Sequence, residues 1–230
     1  MAILLYDLCA ADPAVRFSPH CWKVKMALAH KGLAFESRPT PFTRVTDIGG
    51  GFSKTVPVIE DGGKLVRESF DIAVYLDEAY PDRPSLFGGE GGKAEAKFIE
   101  SWAITEVHPL LLTLIILDIH GRLDPANQSY FRESREKRFG QTLEDMQAGR
   151  ESRVEAFREK LAPMRLMLKR QDFIGGQGPL FADYILFGAL QWARVASPFK
   201  VLADDDPVAA WFGRCLALHD GIAARMLAAA

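Results

Sequence analysis

The spacing of apolar side chains in the first eighty residues changes along the chain, which predicts short strands alternating with helices. Residues 3–8 form an apolar run, and residues 33–37 alternate apolar with small or charged side chains, as strands do. Residues 19–30 between them place apolar side chains on one helix face. Two strands joined through a helix favour a right-handed parallel crossover.

The next part of this half has the pattern of a hairpin followed by a helix. Residues 56–60 and 64–67 are predicted strands around Asp61-Gly62-Gly63, which is a strong hairpin signal. Residues 69–80 then carry apolar side chains at helical spacing, and the glycine-rich residues 40–54 connect the two parts.

Beyond residue 80 the pattern becomes helical after a short connection. Residues 81–92 contain two prolines and four glycines, which is typical of a linker. Helices are predicted at 95–120, at 131–169 with a break near Gly140 or Gly149, at 182–195 and at 207–227. We therefore predict an α/β domain at 1–82, a linker at 83–93 and an all-helical domain at 94–230.

The composition narrows the classes of partner. The formal net charge is −2, and no helix face collects Lys and Arg without acids, so no nucleic-acid partner is expected. The longest apolar run, 109–117, is shorter than the ~20 residues that span a bilayer, so no membrane is expected either. No secretory signal pattern opens the chain, and a cytoplasmic location is expected. Three scattered cysteines and isolated histidines predict neither disulfides nor a metal site.

The run Phe17-Ser18-Pro19-His20-Cys21-Trp22-Lys23 carries the most specific candidate chemistry. Pro19 suits the first helical position, where its missing N–H would be unpaired anyway, and Ser18 then becomes the N-cap. An anion beside Ser18 would gain from the hydroxyl and from the positive end of the helix dipole. These positions match Cys-Pro-x-Cys with the first sulfur replaced by oxygen, although a serine that only caps a helix looks the same.

Two further motifs share this β/α unit, Thr55-Val56-Pro57-Val58 and Arg67-Glu68-Ser69. Together with Ser18-Pro19 and the helical half, they resemble the cytosolic glutathione transferase family over the whole chain. The resemblance implies a thioredoxin-like α/β N-terminal domain plus an all-α C-terminal domain. It also implies a cytoplasmic, homodimeric enzyme with glutathione as co-substrate.

The resemblance assigns roles to the motif residues. Pro57 would be a cis proline, and the backbone of Val56 would pair with the cysteinyl part of glutathione. Glu68 would hold the γ-glutamyl ammonium group, and Ser69 with its helix N-terminus would hold the neighbouring carboxylate. Ser18 would donate a hydrogen bond to the glutathione sulfur and so favour the thiolate.

The glycyl carboxylate of glutathione has two candidate partners. Lys54 occupies a position that meets this carboxylate in several classes of the family, but a solvated loop lysine is an equal interpretation. Arg44 is a less specific candidate.

The electrophile pocket is expected between the Ser18 loop and the first helices of the second domain. Candidate lining residues are Phe17, Trp102, His108 and Leu112, although apolar side chains at such spacing more often form a core. Residues 75–84 and 143–150 are most similar to the bacterial β-etherase branch and its fungal relatives. That branch implies hydrophobic aromatic substrates, cleavage of β-aryl ethers, and roles in aromatic compound metabolism or detoxification.

Other interpretations stay open. Cys9 or Cys21 would make the chain a glutathione-dependent thiol reductase, although position 18 has no sulfur. The fold also suits a non-catalytic protein that binds glutathione or aromatic ligands, or a regulatory module that does not bind glutathione.

His20 is expected at the helix surface. Asp183 is expected to stabilise a helix start at which Leu180 replaces the usual capping hydroxyl.

Overall fold

The computed structural model describes residues 2–229 and contains one four-stranded mixed sheet in its first half. The strands are β1 (Ile3–Leu8), β2 (Phe35–Thr40), β3 (Val58–Asp61) and β4 (Lys64–Arg67), in the spatial order β2-β1-β3-β4. β1 and β2 are parallel, whereas β3 pairs antiparallel with both β1 and β4. The parallel crossover and the hairpin are therefore both confirmed.

Helices α1 (Pro19–His30) and α2 (Ser69–Ala79) complete the α/β domain. Apolar side chains of β1, such as Leu5, and of α1, such as Met26 and Leu28, are fully buried in a core that continues into the second domain. The predicted α/β N-terminal architecture with an all-helical second half is confirmed.

The connection after β2 differs from the prediction. β2 begins at Phe35 and continues to Thr40, and a short 3₁₀ segment, Phe42–Gly50, follows it. The segment buries Val45 and Ile48 against Val58 of β3, so tertiary packing organises a stretch whose glycines indicated only a loop.

The second half is helical throughout. Its elements are α3 (Glu90–Trp102), a π-helical turn (Ala103–Val107), α4 (His108–Gly121), α5 (Pro125–Phe139), α6 (Leu143–Gln147), α7 (Arg150–Lys160), α8 (Ala162–Met167), α9 (Phe181–Ala196) and α10 (Pro207–Gly221). Gly140 and Gly149 both have left-handed backbone angles, with φ of 68° and 65°, and both interrupt the predicted 131–169 segment. Helix α9 is buried along nearly its whole length, as its apolar sequence indicates.

The connection between the halves is shorter than the predicted linker, because α3 already begins at Glu90. Glycines in the first turn of α3 look like linker residues in the sequence. In the structure a Cβ at Gly92 would lie 1.9 Å from the carbonyl oxygen of Phe87, so this helix start requires glycine there. Leu86 and Phe87 of the connection are themselves buried. The domain bounds of 1–82 and 94–230 stay a prediction.

The longest continuous helical stretch, Glu90–Gly121, has 32 residues with a mean hydropathy of 1.6 in its most apolar window, so its length and composition alone would allow it to cross a membrane. The same properties belong to core helices of water-soluble folds. Leu111, Leu114 and Ile115 in this stretch are buried within the helical domain, in keeping with a core helix.

Candidate functional site

Ser18 occupies the N-cap of α1. Its backbone is extended, with φ −60° and ψ 124°, and its Oγ accepts a hydrogen bond from the Cys21 N–H at 3.2 Å. The loop before it is fixed because the Trp22 indole donates to the carbonyl of Arg16 at 2.9 Å. Ser18 is only 3% exposed, so its hydroxyl lies at the positive end of a helix dipole under a mostly closed surface.

Helix α1 is held in place by its closest helical neighbour, α9. A Cβ on Gly188 of α9 would lie 2.3 Å from the carbonyl oxygen of Pro19 and 3.3 Å from Cγ of Lys23. Glycine is therefore required at position 188 for the first turn of α1 to pack this closely. The sequence gives no local signal for this requirement, since Gly188 lies in the middle of a helix.

The bond between Val56 and Pro57 is cis, as the family resemblance implies. A compact turn precedes it, in which Ser53 Oγ donates to the Thr55 carbonyl at 2.7 Å and accepts from the Thr55 N–H at 3.1 Å. Pro57 is buried and Val56 is half-buried, so the segment presents Val56 at the surface edge of β3.

Glu68 and Ser69 meet at the start of α2. Glu68 has φ 64°, which is uncommon for a residue with a side chain, and its carboxylate accepts from the Thr55 hydroxyl at 3.1 Å. Ser69 is the first residue of α2 and is 5% exposed. The pair brings an exposed carboxylate next to a helix N-terminus, which suits an ammonium and a carboxylate attached to the same carbon atom.

A buried lysine lies on α1 where this helix contacts α3. The Lys23 side chain is fully buried, and its ammonium donates to Glu100 at 3.3 Å. Burial lowers the pKa of Lys23, while the charges of Glu100 and Glu68 raise it. Sequence reasoning missed this residue, because a lysine within a predicted helix is ordinarily solvated.

Lys54 and Arg44 are both exposed near the 3₁₀ segment. Among residues 2–229, Lys54 has no carboxylate partner, whereas Arg44 forms an exposed pair with Asp47. Lys54 thus keeps its charge available for an acidic ligand, and Arg44 shares its charge with Asp47.

Both N-terminal cysteines are buried, with exposures of 3% for Cys9 and 0% for Cys21. Burial raises the pKa of each thiol, more strongly for Cys21, where the Ser18 hydroxyl opposes the shift by hydrogen bonding. Cysteine nucleophiles require an accessible thiolate, so this geometry is unfavourable for a cysteine-dependent thiol reductase.

The four predicted pocket residues differ in how far they are buried. Phe17 is only 1% exposed and packs against Phe42, with 6.3 Å between ring centroids. Trp102 and Leu112 are half-buried against the core. A groove of about 690 Å³ elsewhere, which Ser37 and His219 help to line, contains none of the predicted site residues.

His108 contacts the Ser18 helix through His20, and the two imidazole rings stack with 5.4 Å between centroids. His20, expected at the helix surface, is half-buried, because His108 of α4 stacks on its ring. Burial and the nearby Lys23 charge lower the pKa of His108 to about 4, and the pKa of His20 is also well below its usual value for these two reasons. Nε2 of His108 is buried without a hydrogen-bond partner among the described residues.

Asp183 at the start of α9 is fully buried and accepts the Leu180 N–H at 3.0 Å. The Leu180 side chain has no acceptor, so only half of a reciprocal cap is present, as the sequence indicates. Asp183 therefore acts on the helix start, away from the Ser18 site.

Models of two protein-family domains together match most of the chain. The glutathione S-transferase N-terminal domain matches residues 13–84, and the glutathione S-transferase C-terminal domain matches residues 94–228. A glutathione S-transferase-like protein of Aspergillus flavus is 27% identical over 209 residues, which are 77% of this chain and 74% of the relative.

Solved fungal structures share the whole fold. Glutathione transferase GSTFuA3 of Phanerochaete chrysosporium is 27% identical with a TM-score of 0.78, over 99% of this chain and 95% of that one. A glutathione S-transferase of Ceriporiopsis subvermispora, solved in complex with glutathione, is 25% identical with a TM-score of 0.82, over 96% and 97%. With its thioredoxin-like and helical halves, the chain belongs to the glutathione S-transferase family, whose co-substrate is glutathione.

Proposed function

We propose that the protein transfers glutathione to hydrophobic aromatic electrophiles, with Ser18 stabilising the glutathione thiolate. The observation that carries this proposal is the Ser18 hydroxyl at the N-terminus of α1. A free thiol has a pKa of ~8.5, and each unit by which a site lowers this pKa corresponds to ~1.4 kcal/mol of differential stabilisation. A hydroxyl donor and a helix dipole both act in this direction.

The remaining motif residues hold the peptide. Val56 beside the cis proline pairs with the cysteinyl backbone, and Glu68 and Ser69 hold the γ-glutamyl end. The Thr55 hydroxyl at 3.1 Å from the Glu68 carboxylate orients it toward the ligand. Lys54 binds the glycyl carboxylate, because it is exposed and has no carboxylate partner among residues 2–229.

The reaction is a nucleophilic substitution at a carbon atom of the second substrate. The thiolate sulfur forms a bond to that carbon, and the leaving group departs with the electron pair of its own bond. For a β-aryl ether next to a ketone, the leaving group is a phenolate that takes a proton from water. We propose Phe17, Trp102, His108 and Leu112 as residues around this electrophile.

Steady-state kinetics with glutathione, an activated aryl halide and a β-aryl ether ketone test the proposal. Thioether formation and phenolate release are expected in the wild type, with at least a tenfold loss of kcat/KM in Ser18→Ala. Cys9→Ala and Cys21→Ala should keep the transferase rate. Loss of activity in the cysteine variants together with activity in Ser18→Ala would favour the thiol reductase instead.

Glutathione binding without turnover of any electrophile would favour the non-catalytic ligand-binding alternative. Absence of glutathione binding would favour a regulatory module. We further propose a cytoplasmic homodimer, which light scattering coupled to size exclusion tests through the mass in solution. A mass near the 25.5 kDa of one chain would contradict the dimer.

A further inference from the structure

Arg135 on α5 has an unusual environment for an arginine in this protein. Its guanidinium lies over the rings of Phe42 and Phe131, with 5.2 Å and 4.6 Å to the ring centroids. Its one side-chain hydrogen bond to the described residues is to the Ser134 hydroxyl, at 2.9 Å. No carboxylate of residues 2–229 lies within ion-pair distance of it, so most of its N–H donors have no protein acceptor.

A neighbouring arginine of the same helix shows the contrast. Arg132 donates to Glu136 at 2.7 Å and to both carboxylate oxygens of Glu144 at 2.9 Å and 2.7 Å. Arg135 is the more enclosed of the two, and burial lowers its pKa, with Arg138 adding a like charge. A half-buried guanidinium without an acid keeps its charge and most of its N–H donors available for an anionic ligand.

The aromatic groups around Arg135 connect it to the Ser18 loop. Phe42 contacts Phe17, the residue before Ser18, at 6.3 Å between centroids, and Tyr130 at 6.1 Å. Tyr130 is 44% exposed, so one ring of the cluster is open to solvent. The position is fixed because the Thr43 N–H donates to Asn127 of α5 at 3.0 Å.

We propose that Arg135, with Tyr130 and Phe42, binds the carboxylate of an anionic aromatic electrophile and so selects acidic aromatic substrates. The planar guanidinium can donate two parallel hydrogen bonds to one carboxylate, and the rings can contact the aromatic part of the same molecule. The proposal rests on the proposed transferase function, since it names the substrate class of that site.

A purely structural role is the competing explanation. Arginine over aromatic rings stabilises a fold, and here it would hold the 3₁₀ segment against α5. That role uses the ring contacts and the single hydrogen bond to Ser134, and leaves the remaining N–H donors without protein acceptors. Binding of a carboxylate uses these remaining donors, so the two roles predict different effects on charged and neutral substrates.

The test compares 4-chloro-3,5-dinitrobenzoate with its methyl ester, which has the same reacting carbon and chloride leaving group. In both, the C–S bond forms and the C–Cl bond breaks as chloride leaves with the electron pair. We expect Arg135→Gln to lower the acid-to-ester ratio of kcat/KM about tenfold, as loss of a charged hydrogen-bonded partner does. Arg135→Lys keeps the positive charge but loses the two parallel N–H donors of the guanidinium, so it should lower the ratio less.

The matched control is Arg138→Gln, which removes the same charge from the next turn of α5. Arg138 is exposed and lies over Phe139, whereas Arg135 lies over Phe42 and Phe131. The control should keep the ratio within about twofold, since screened surface charges act weakly. An unchanged ratio in Arg135→Gln, or an equal fall in both variants, would overturn the proposal. If circular dichroism shows that Arg135→Gln does not fold, the test rests on Arg135→Lys. A lower acid-to-ester ratio in Arg135→Lys than in the wild type then supports the proposal, and an unchanged ratio overturns it.

Failure of the transferase function itself is distinguished by binding. If neither electrophile is turned over, titration calorimetry with unreactive 3,5-dinitrobenzoate still tests the carboxylate site. Binding by the wild type that weakens at least tenfold in Arg135→Gln, but not in Arg138→Gln, would support the site. Equal binding by all three proteins, or no binding, would overturn it.

Discussion

The Asp183 carboxylate gathers four N–H donors at a place where no solvent reaches it. It accepts from Leu180, Ile174 and Gly175 of the backbone and from the Trp211 indole, at 2.8–3.0 Å. Burial raises the pKa of Asp183, and these donors oppose the shift. The sequence predicts the Leu180 contact, because a helix start with an acid three residues later is a local pattern. The other three contacts come from distant segments and are not predictable from it.

We expect Asp183→Asn to destabilise the protein by about 3 kcal/mol, because an amide leaves part of the buried donor set unpaired. Asp204→Asn is the control, since Asp204 is highly exposed and its pair with Lys200 contributes little. Urea unfolding of the two variants at pH 7 measures the difference. Similar free energies of unfolding in both would contradict this assignment of Asp183.

At the scale of elements, the bounds of β1, β4 and α1 match those predicted, because each is encoded by a local pattern or cap. The bounds of β2 and of the 3₁₀ segment differ from those predicted. Packing on β1 and on Val58 decides where these two elements end. The same division holds for the site. Ser18, the cis Pro57 and Glu68 belong to local motifs, whereas Lys23, Arg135 and Gly188 gain their environments from the other domain.

The contact of α1 with α9 predicts a sharp difference between two helical glycines. Gly188→Ala places a methyl group 2.3 Å from the Pro19 carbonyl oxygen, so we expect about 1–3 kcal/mol of destabilisation and a weakened glutathione site. Gly213→Ala in α10 meets no atom within 4 Å and should stabilise by about 0.5–1 kcal/mol, through helix propensity. Thermal unfolding and the KM for glutathione measure both effects. A Gly188→Ala variant as stable as Gly213→Ala would refute the packing argument.

At the scale of the whole molecule, all five histidines have pKa values below the usual range, chiefly because of burial. The unfolded chain therefore binds protons near pH 6.5, while the folded protein stays neutral at these sites until about pH 4 for His108 and His219. Stability should thus fall as the pH falls from about 6.5 to 4, by up to ~1.4 kcal/mol per pH unit for each of His108 and His219.

Urea unfolding at pH 7.5, 6 and 5 measures this dependence, and His108→Gln isolates one contribution. The variant should show a shallower loss of stability with acid than the wild type does. His120→Gln is the matched control, because His120 lies in a more open place and should change the slope less. Parallel pH curves for wild type and His108→Gln would show that His108 titrates normally in the folded protein.

The most direct test of the whole account is the ultraviolet thiolate absorbance of bound glutathione across pH, in the wild type and in Ser18→Ala. The control, Thr142→Ala, removes a capping hydroxyl from the remote helix α6. We predict a bound-thiol pKa well below ~8.5 in the wild type and in Thr142→Ala, and a value about one unit or more higher in Ser18→Ala. A bound-thiol pKa that is the same in all three proteins would contradict the role of Ser18.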